Sequence, residues 1–155
     1  MATVSRAMTR GVDLETATRI VDTALRLARA RNLRPMTMCV LDAGGDLVAF
    51  KRENGTGIRR QDVVIGKAYG ALMMNRSSRG IGRIAEVAPS FITSLMAATD
   101  GKVIPTPGGV LIKDQTGLII GAVGSSGDEA DADEAVAVEA VKEAGLVPEP
   151  ENVTG

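Results

Sequence analysis

The stretch from Ile104 to Glu139, IPTPGGVLIKDQTGLIIGAVGSSGDEADADEAVAVE, constrains the fold more than any other part of the chain. Gly109 to Lys113 and Leu118 to Val123 are short apolar runs separated by Asp114-Gln115-Thr116-Gly117, the pattern of a β-hairpin. The Gly124-Ser125-Ser126-Gly127 elbow follows, and then an acid-rich helix to about Ala144. Ser126 and Glu129 stand in S-x-x-E order, which predicts a capping box at that helix start. A hairpin feeding straight into a helix cannot bury its own apolar faces. It needs further strands beside it and helices above and below.

The rest of the chain supplies them. Asp13 predicts an N-cap with Val12 as a hydrophobic staple. Leu14, Ala17, Val21, Ala24, Leu25 and Ala28 then recur at helical spacing to near Asn32. Met36 to Leu41 and Leu47 to Arg52 form a second strand pair across Asp42-Ala43-Gly44-Gly45-Asp46. Glu53 to Ile58 reads as a loop, and Arg60 to about Asn75 as a helix. Ser77 to Val87 is a short helix or turn carrying Arg76, Arg79 and Arg83. Pro89 suits the first position of another short helix. Thr99 to Thr106 is irregular, with an edge strand expected near Lys102–Ile104. The expectation is an α+β fold with an antiparallel four- or five-stranded sheet of two hairpins flanked by helices. It forms one domain over residues 12–145, with residues 1–11 and 146–155 as flexible termini.

Composition removes several function classes. A chain of 155 residues fits one domain with a sizeable core. A net charge of −1 gives no general drive toward nucleic acid or a membrane surface. The only aromatics are Phe50, Tyr69 and Phe91, too few to stack a single strand of nucleic acid. Histidine is absent, which removes the commonest general base and metal ligand. Cys39 is the only cysteine, so neither an intrachain disulfide nor a multi-thiolate zinc site is available. The start of the chain lacks the apolar segment of a secretory signal, and no run is long enough to span a bilayer. The expected location is the cytoplasm.

Four features could carry chemistry. From Val63 to Met74 every residue is apolar, glycine or tyrosine except Lys67. A helix apolar nearly all round is buried on more than one side, so the lysine is expected in a partly dry site or at an interface edge. Asp128, Glu129, Asp131, Asp133 and Glu134 crowd the start of the last helix, where acids complement the helix dipole. Asp133 and Glu134 lie beyond the capping turn, so capping explains them least. Asp131-x-x-Glu134 also offers the spacing of a weak iron or divalent-cation site. The backbone at Gly108, Gly109 and Gly127 could approach a ligand, while Arg52 at a strand end is the basic residue best placed to reach a pocket. Met8, Met36, Met38, Met73, Met74 and Met96 read as deformable core filling.

Taken in order, these motifs resemble a known family. Val40-Leu41-Asp42-Ala43-Gly44-Gly45-Asp46-Leu47 with Arg52, and Ile65-Gly66-Lys67-Ala68-Tyr69-Gly70-Ala71, match its first hairpin and lysine-bearing helix. Pro107-Gly108-Gly109-Val110-Leu111-Ile112, Gly121-Ala122-Val123-Gly124-Ser125-Ser126-Gly127 and Asp133-Glu134 match its C-terminal half. The chain is similar, over about Val12 to Gly145, to the GlcG/HbpS-like haem-binding and haem-degrading family, which includes the C-terminal domain of PduO-type proteins. The resemblance implies an antiparallel sheet flanked by helices and homo-oligomers from dimers to octamers. It also implies haem binding or iron sensing, or a role in the catabolism of small organic acids, with some members acting as cofactor-free enzymes. Lacking histidine, the chain has no imidazole for haem iron, so Tyr69 or a methionine would have to stand in.

Three functions follow. The first is a binding module holding an anionic small molecule between the lysine helix and the second hairpin, with Arg52, Lys67 and the N–H groups of Gly108, Gly109 and Gly127, without a cofactor. The second is a hydrolase, isomerase or lyase for an organic acid, with Asp133 or Glu134 as general base and Lys67 as acid or electrostatic stabiliser. The third is haem or iron binding.

Overall fold

The computed structural model describes residues 11–151. The N-terminal arm ahead of Gly11, with Met8, and the last four residues lie outside the described part. The elements run α1 (Leu14–Ala30), β1 (Thr37–Asp42), β2 (Leu47–Arg52), α2 (Arg60–Met74), α3 (Ser78–Val87), α4 (Pro89–Ala98), β3 (Gly109–Lys113), β4 (Ile119–Ser126), α5 (Ala130–Glu143) and β5 (Val147–Glu149). Asp13 caps α1 as the sequence predicts, its carboxylate accepting the Thr16 N–H at 2.8 Å.

The strands form one antiparallel sheet in the order β2-β1-β4-β3-β5. The two hairpins join side by side where β1 pairs with β4, Thr37 opposite Ser126 and Asp42 opposite Gly121. Side chains alternate between faces along each strand. Met38, Val40, Val110, Ile112 and Val123 face α1 and α5, while Cys39, Leu41, Leu111 and Ala122 face α2. The central strands are therefore apolar on both sides, which is why β1 reads as an unbroken hydrophobic run. Ile81, Ile92 and Val103 make a smaller cluster beneath α3 and α4.

α2 lies unusually close to the sheet, and two glycines permit it. Gly109 and Gly124 are directly opposite one another on β3 and β4. A Cβ on Gly124 would sit 1.9 Å from the Val64 carbonyl oxygen, and one on Gly109 would sit 2.3 Å from that of Lys67. Val64 and Lys67 are three residues apart and share one side of the helix. The helix backbone thus rests directly on the pair of strands.

Three expectations are corrected. Residues 146–155 are not a loose tail throughout, because β5 pairs with Leu111–Lys113 and Lys113 forms an ion pair with Glu149. The exposed edge of β3 offers unpaired backbone groups, and even a short segment gains by meeting them. Lys102–Ile104 forms no strand. Val103 is instead buried with Ile81 and Ile92, and Ile104 packs over Gly66. The Ser126–Glu129 capping box does not form either. Ser126 is still in β4, and its Oγ accepts from Arg60 at 3.1 Å. Glu129 is the N-cap with no side-chain cap bond and pairs with Arg34 at 2.8 Å. Asp133 does the work from the first turn, its Oδ1 accepting the Asp128 N–H at 2.8 Å.

Candidate functional site

Lys67 leaves the underside of α2 and passes Gly108, just ahead of β3. Gly108 holds φ at +125°, and a Cβ there would lie 2.8 Å from Lys67 Nζ. The ammonium donates to the Ser125 carbonyl at 2.9 Å and meets Asp133 Oδ2 at 3.4 Å. Since α2 and α5 cover opposite faces, this contact joins the two helical layers around the end of the sheet. Both side chains are almost fully enclosed, 4% and 3% exposed.

Burial dominates the electrostatics. It pushes the Lys67 ammonium below its ordinary 10.5, against the attraction of Asp133, while nearby Arg60 lowers it further. It pushes the Asp133 carboxyl above 3.8, although the Asp128 and Gly127 N–H groups and Lys67 all favour the ionised form. Glu134, on the next residue of α5, is fully buried and also raised by burial, with Arg79 opposing. Arg79 Nε donates to Glu134 Oε1 at 2.9 Å, and a terminal nitrogen pairs with Asp131. Glu134 Oε2 has no hydrogen-bond partner among the described residues.

Arg79 sits against Asp131 and Glu134, where a cation would have to sit. Among the described residues no group of three or more acids, cysteines or histidines is placed to hold a metal ion. The Gly109 N–H is engaged by Ser78 Oγ at 2.7 Å and the Gly127 N–H by Asp133. Cys39 is buried, and its thiol is pushed up to about 12, far from a reactive thiolate.

Arg52 and Tyr69 stand elsewhere. Arg52 is exposed at the end of β2 and, with Leu47, Phe50, Gln61 and Ile65, lines a groove of about 470 Å³ between β2 and α2. It has no acid partner among the described residues. Its neighbour across the strand pair is Thr37, whose next neighbour is Ser126. The Thr37 hydroxyl is fully buried and unpartnered among the described residues, and Arg60 reaches Ser126 from above. Strand register thus sets Arg52 beside buried Thr37 and Ser126, and of this row only Arg52 lines the groove. Tyr69 instead lines a recess of about 170 Å³ with Gly45 and Met73, and the Lys102 ammonium lies 5.4 Å from its ring centre.

The structure thus brings Lys67, Asp133, Glu134 and Gly108 together and leaves Arg52 and Tyr69 in separate hollows. Sequence reasoning missed Arg60, Arg79, Ser78 and Thr37 as members of these networks. Arg60 carried a signal, being the first residue of a helix whose composition marks it as buried. Arg79 carried none, because its spacing to Arg76 and Arg83 does not say which way it turns.

Comparison with known proteins places this geometry in context. The family described as haem degrading protein HbpS-like matches residues 12–142. No curated protein matches the chain. A PduOC:haem complex superposes with a TM-score of 0.78 at 20% identity, over 88% of this chain and 96% of that one. The Klebsiella pneumoniae protein ORFY gives 0.78 at 21% identity over 94% and 97%, and a double mutant of Streptomyces reticuli HbpS gives 0.74 at 20% over 92% and 96%. At such identities these structures share the fold. Among the described residues of this chain it comprises five helices and an open five-stranded antiparallel sheet.

Proposed function

The chain belongs to the haem-degrading HbpS-like family, and on that footing we propose that it binds an anionic organic small molecule in the groove between β2 and α2. The observation that carries this reading is Arg52, an arginine without an acid partner among the described residues at the end of an apolar groove. The groove's volume, about 470 Å³, falls within the roughly 300–1,000 Å³ that hold drug-sized ligands. Leu47, Phe50 and Ile65 supply apolar walls, Gln61 a hydrogen-bonding side chain, and the Arg52 guanidinium a fork that matches a carboxylate. The buried Thr37 hydroxyl beside it is a further polar group without a partner among the described residues.

The PduOC:haem relative favours a tetrapyrrole as one such ligand. The residues of this chain fit its carboxylates and ring faces better than its iron. The groove lining contains no histidine, tyrosine, cysteine or methionine. Tyr69 and Met73 line a recess of about 170 Å³, below the size range of such sites. Iron ligation therefore does not fit the groove, and the reading needs only the organic anion.

Calorimetric titration tests it, with haemin, metal-free protoporphyrin and an aryl carboxylate paired with its methyl ester. Both porphyrins bind alike, and the free acid binds while the ester does not. Arg52→Gln weakens binding about tenfold to a hundredfold, as expected for a charge-assisted hydrogen-bonded pair of ~1.5–3 kcal/mol. Equal affinity of the variant and the parent, or of acid and ester, removes the proposal.

A further inference from the structure

We propose a second ligand site at the opposite edge of the sheet, where the cavity between α3 and β5 takes a small polyanion bearing two or more phosphate or carboxylate groups. The cavity measures about 340 Å³, and its lining includes Arg76, Ser77, Arg79, Gly80, Arg83 and Glu149. Three guanidiniums around one hollow repel one another. Ordinary surface arginines avoid this by spreading out or by pairing with acids.

Here the pairing is incomplete. Arg79 is anchored from behind by Glu134 and Asp131, which fixes its plane and leaves Nη1 without a bond among the described residues. Arg76 and Arg83 have no acid partner among the described residues. Glu149 is the one acid in the lining, and its carboxylate is taken by Lys113 on the neighbouring strand. Arg76 and Arg83 therefore keep uncompensated charge in the lining, while Arg79 is balanced from behind.

The local backbone also shapes the wall. Gly80 leaves room for the Arg76 stem, since a Cβ there would lie 3.3 Å from Arg76 Cδ. The stem thus lies across the first turn of α3. Ser77 caps that turn by accepting the Gly80 N–H, and the positive end of the helix dipole adds to the field of the guanidiniums. Arginine forks bind phosphate and carboxylate oxygens in pairs, so a ligand with two anionic groups can engage Arg76 and Arg83 together while its centre faces Arg79. A single monoanion would leave one fork empty.

The site is separate from the Arg52 groove, because β2 and β5 are the two edge strands. Titration of the full chain with pyrophosphate and with citrate at low salt tests the proposal. Saturable binding of either probe is expected, with the preferred one naming the anionic group. Arg76→Gln and Arg83→Gln should each weaken it about tenfold and the pair together about a hundredfold, at unchanged thermal midpoint. Arg52→Gln and the distant Arg26→Gln should leave it unaltered. Absence of binding by both probes overturns the proposal. So does binding that survives the double variant, or binding lost in Arg52→Gln, which would assign the anions to the groove.

Discussion

Replacing Lys67 with Met, a side chain of similar length without the charge, isolates the energetics of the buried pair. The substitution leaves the Asp133 carboxylate, 3% exposed, with only the Asp128 and Gly127 N–H groups for company. It also takes the donor from the Ser125 carbonyl. Breaking a buried ion pair from one side costs about 3–5 kcal/mol. The Nζ–Oδ2 distance of 3.4 Å is long for such a pair, and two backbone donors remain, so the low end applies. A loss of about 3 kcal/mol lowers the melting temperature of a chain this size by about 6–12 °C.

Urea unfolding followed by circular dichroism at pH 7.5 and pH 5 reads both the loss and its pH sense. An acid whose folded-state pKa exceeds the unfolded value holds its proton more tightly when folded. Ionising it therefore costs stability as pH rises through the interval above 3.8. Removing Lys67 raises the Asp133 carboxyl further, so the deficit of the variant shrinks as pH falls. The Lys67 shift runs the other way. Its folded pKa lies below 10.5, so the parent gains stability as pH climbs through that interval, and the variant loses this alkaline gain. Lys67→Met combined with Asp133→Asn should recover most of the loss, because a neutral pair carries no stranded charge. A loss below about 1 kcal/mol at pH 7.5, or one unchanged at pH 5, refutes the reasoning.

Two other substitutions probe the same architecture. Gly124→Ala places a Cβ 1.9 Å from the Val64 carbonyl, where real contacts do not fall below 3.0 Å. α2 must lift, so thermal denaturation should show a loss of at least about 1–3 kcal/mol, while the same change at Gly57, where the nearest atom is the end of the Arg60 side chain at 3.5 Å, avoids the clash. Glu134→Gln removes a buried carboxyl whose folded pKa lies above its ordinary 4.5. The parent loses stability as pH rises through that window and the variant does not. Urea midpoints compared at pH 5 and pH 8 should therefore move in the variant's favour at the higher pH, and an unchanged difference would refute the reading.

Turn chemistry and periodicity made both hairpins and α1 legible, down to Asp13 as cap. The burial of Lys67 was legible because it is the one charge in a helix otherwise apolar from Val63 to Met74. Asp133 and Glu134 stood out because they lie past the first acids of the helix, but the reason was only half right: Asp133 both caps the start of α5 and meets Lys67. Other contacts depended on tertiary packing that no local pattern encodes. Val147-Pro148-Glu149 has no strand signature of its own and becomes β5 only because β3 presents an open edge. Ser126 had the right spacing to cap α5, yet Arg60 draws it into a different network. Arg52 stood out in the sequence as a basic strand-end residue, but strand register sets it beside Thr37, away from Lys67.

The close seating of α2 links these observations. A helix is about 10–12 Å across with its side chains, while adjacent strands lie about 4.8 Å apart, so one helix cannot cover five strands. Gly109 and Gly124 draw α2 down over β3 and β4, and its flank reaches β1. That seating drives the Lys67 side chain past the end of the sheet toward α5, where it meets Asp133. It also leaves the α2-side face of β2 open, with Arg52 and Phe50 along a groove walled by the flank of α2. At the far edge, β5 pairs with β3, and Glu149 and Pro150 border the arginine-lined cavity that separates it from α3. The centre of the fold thus satisfies its charges internally, and arginines without acid partners among the described residues stand at the two edges. Ligand-binding variants should accordingly separate from stability variants. Changes at Arg52, Arg76 or Arg83 alter affinity at constant stability, whereas changes at Lys67, Gly124 or Asp133 alter stability first.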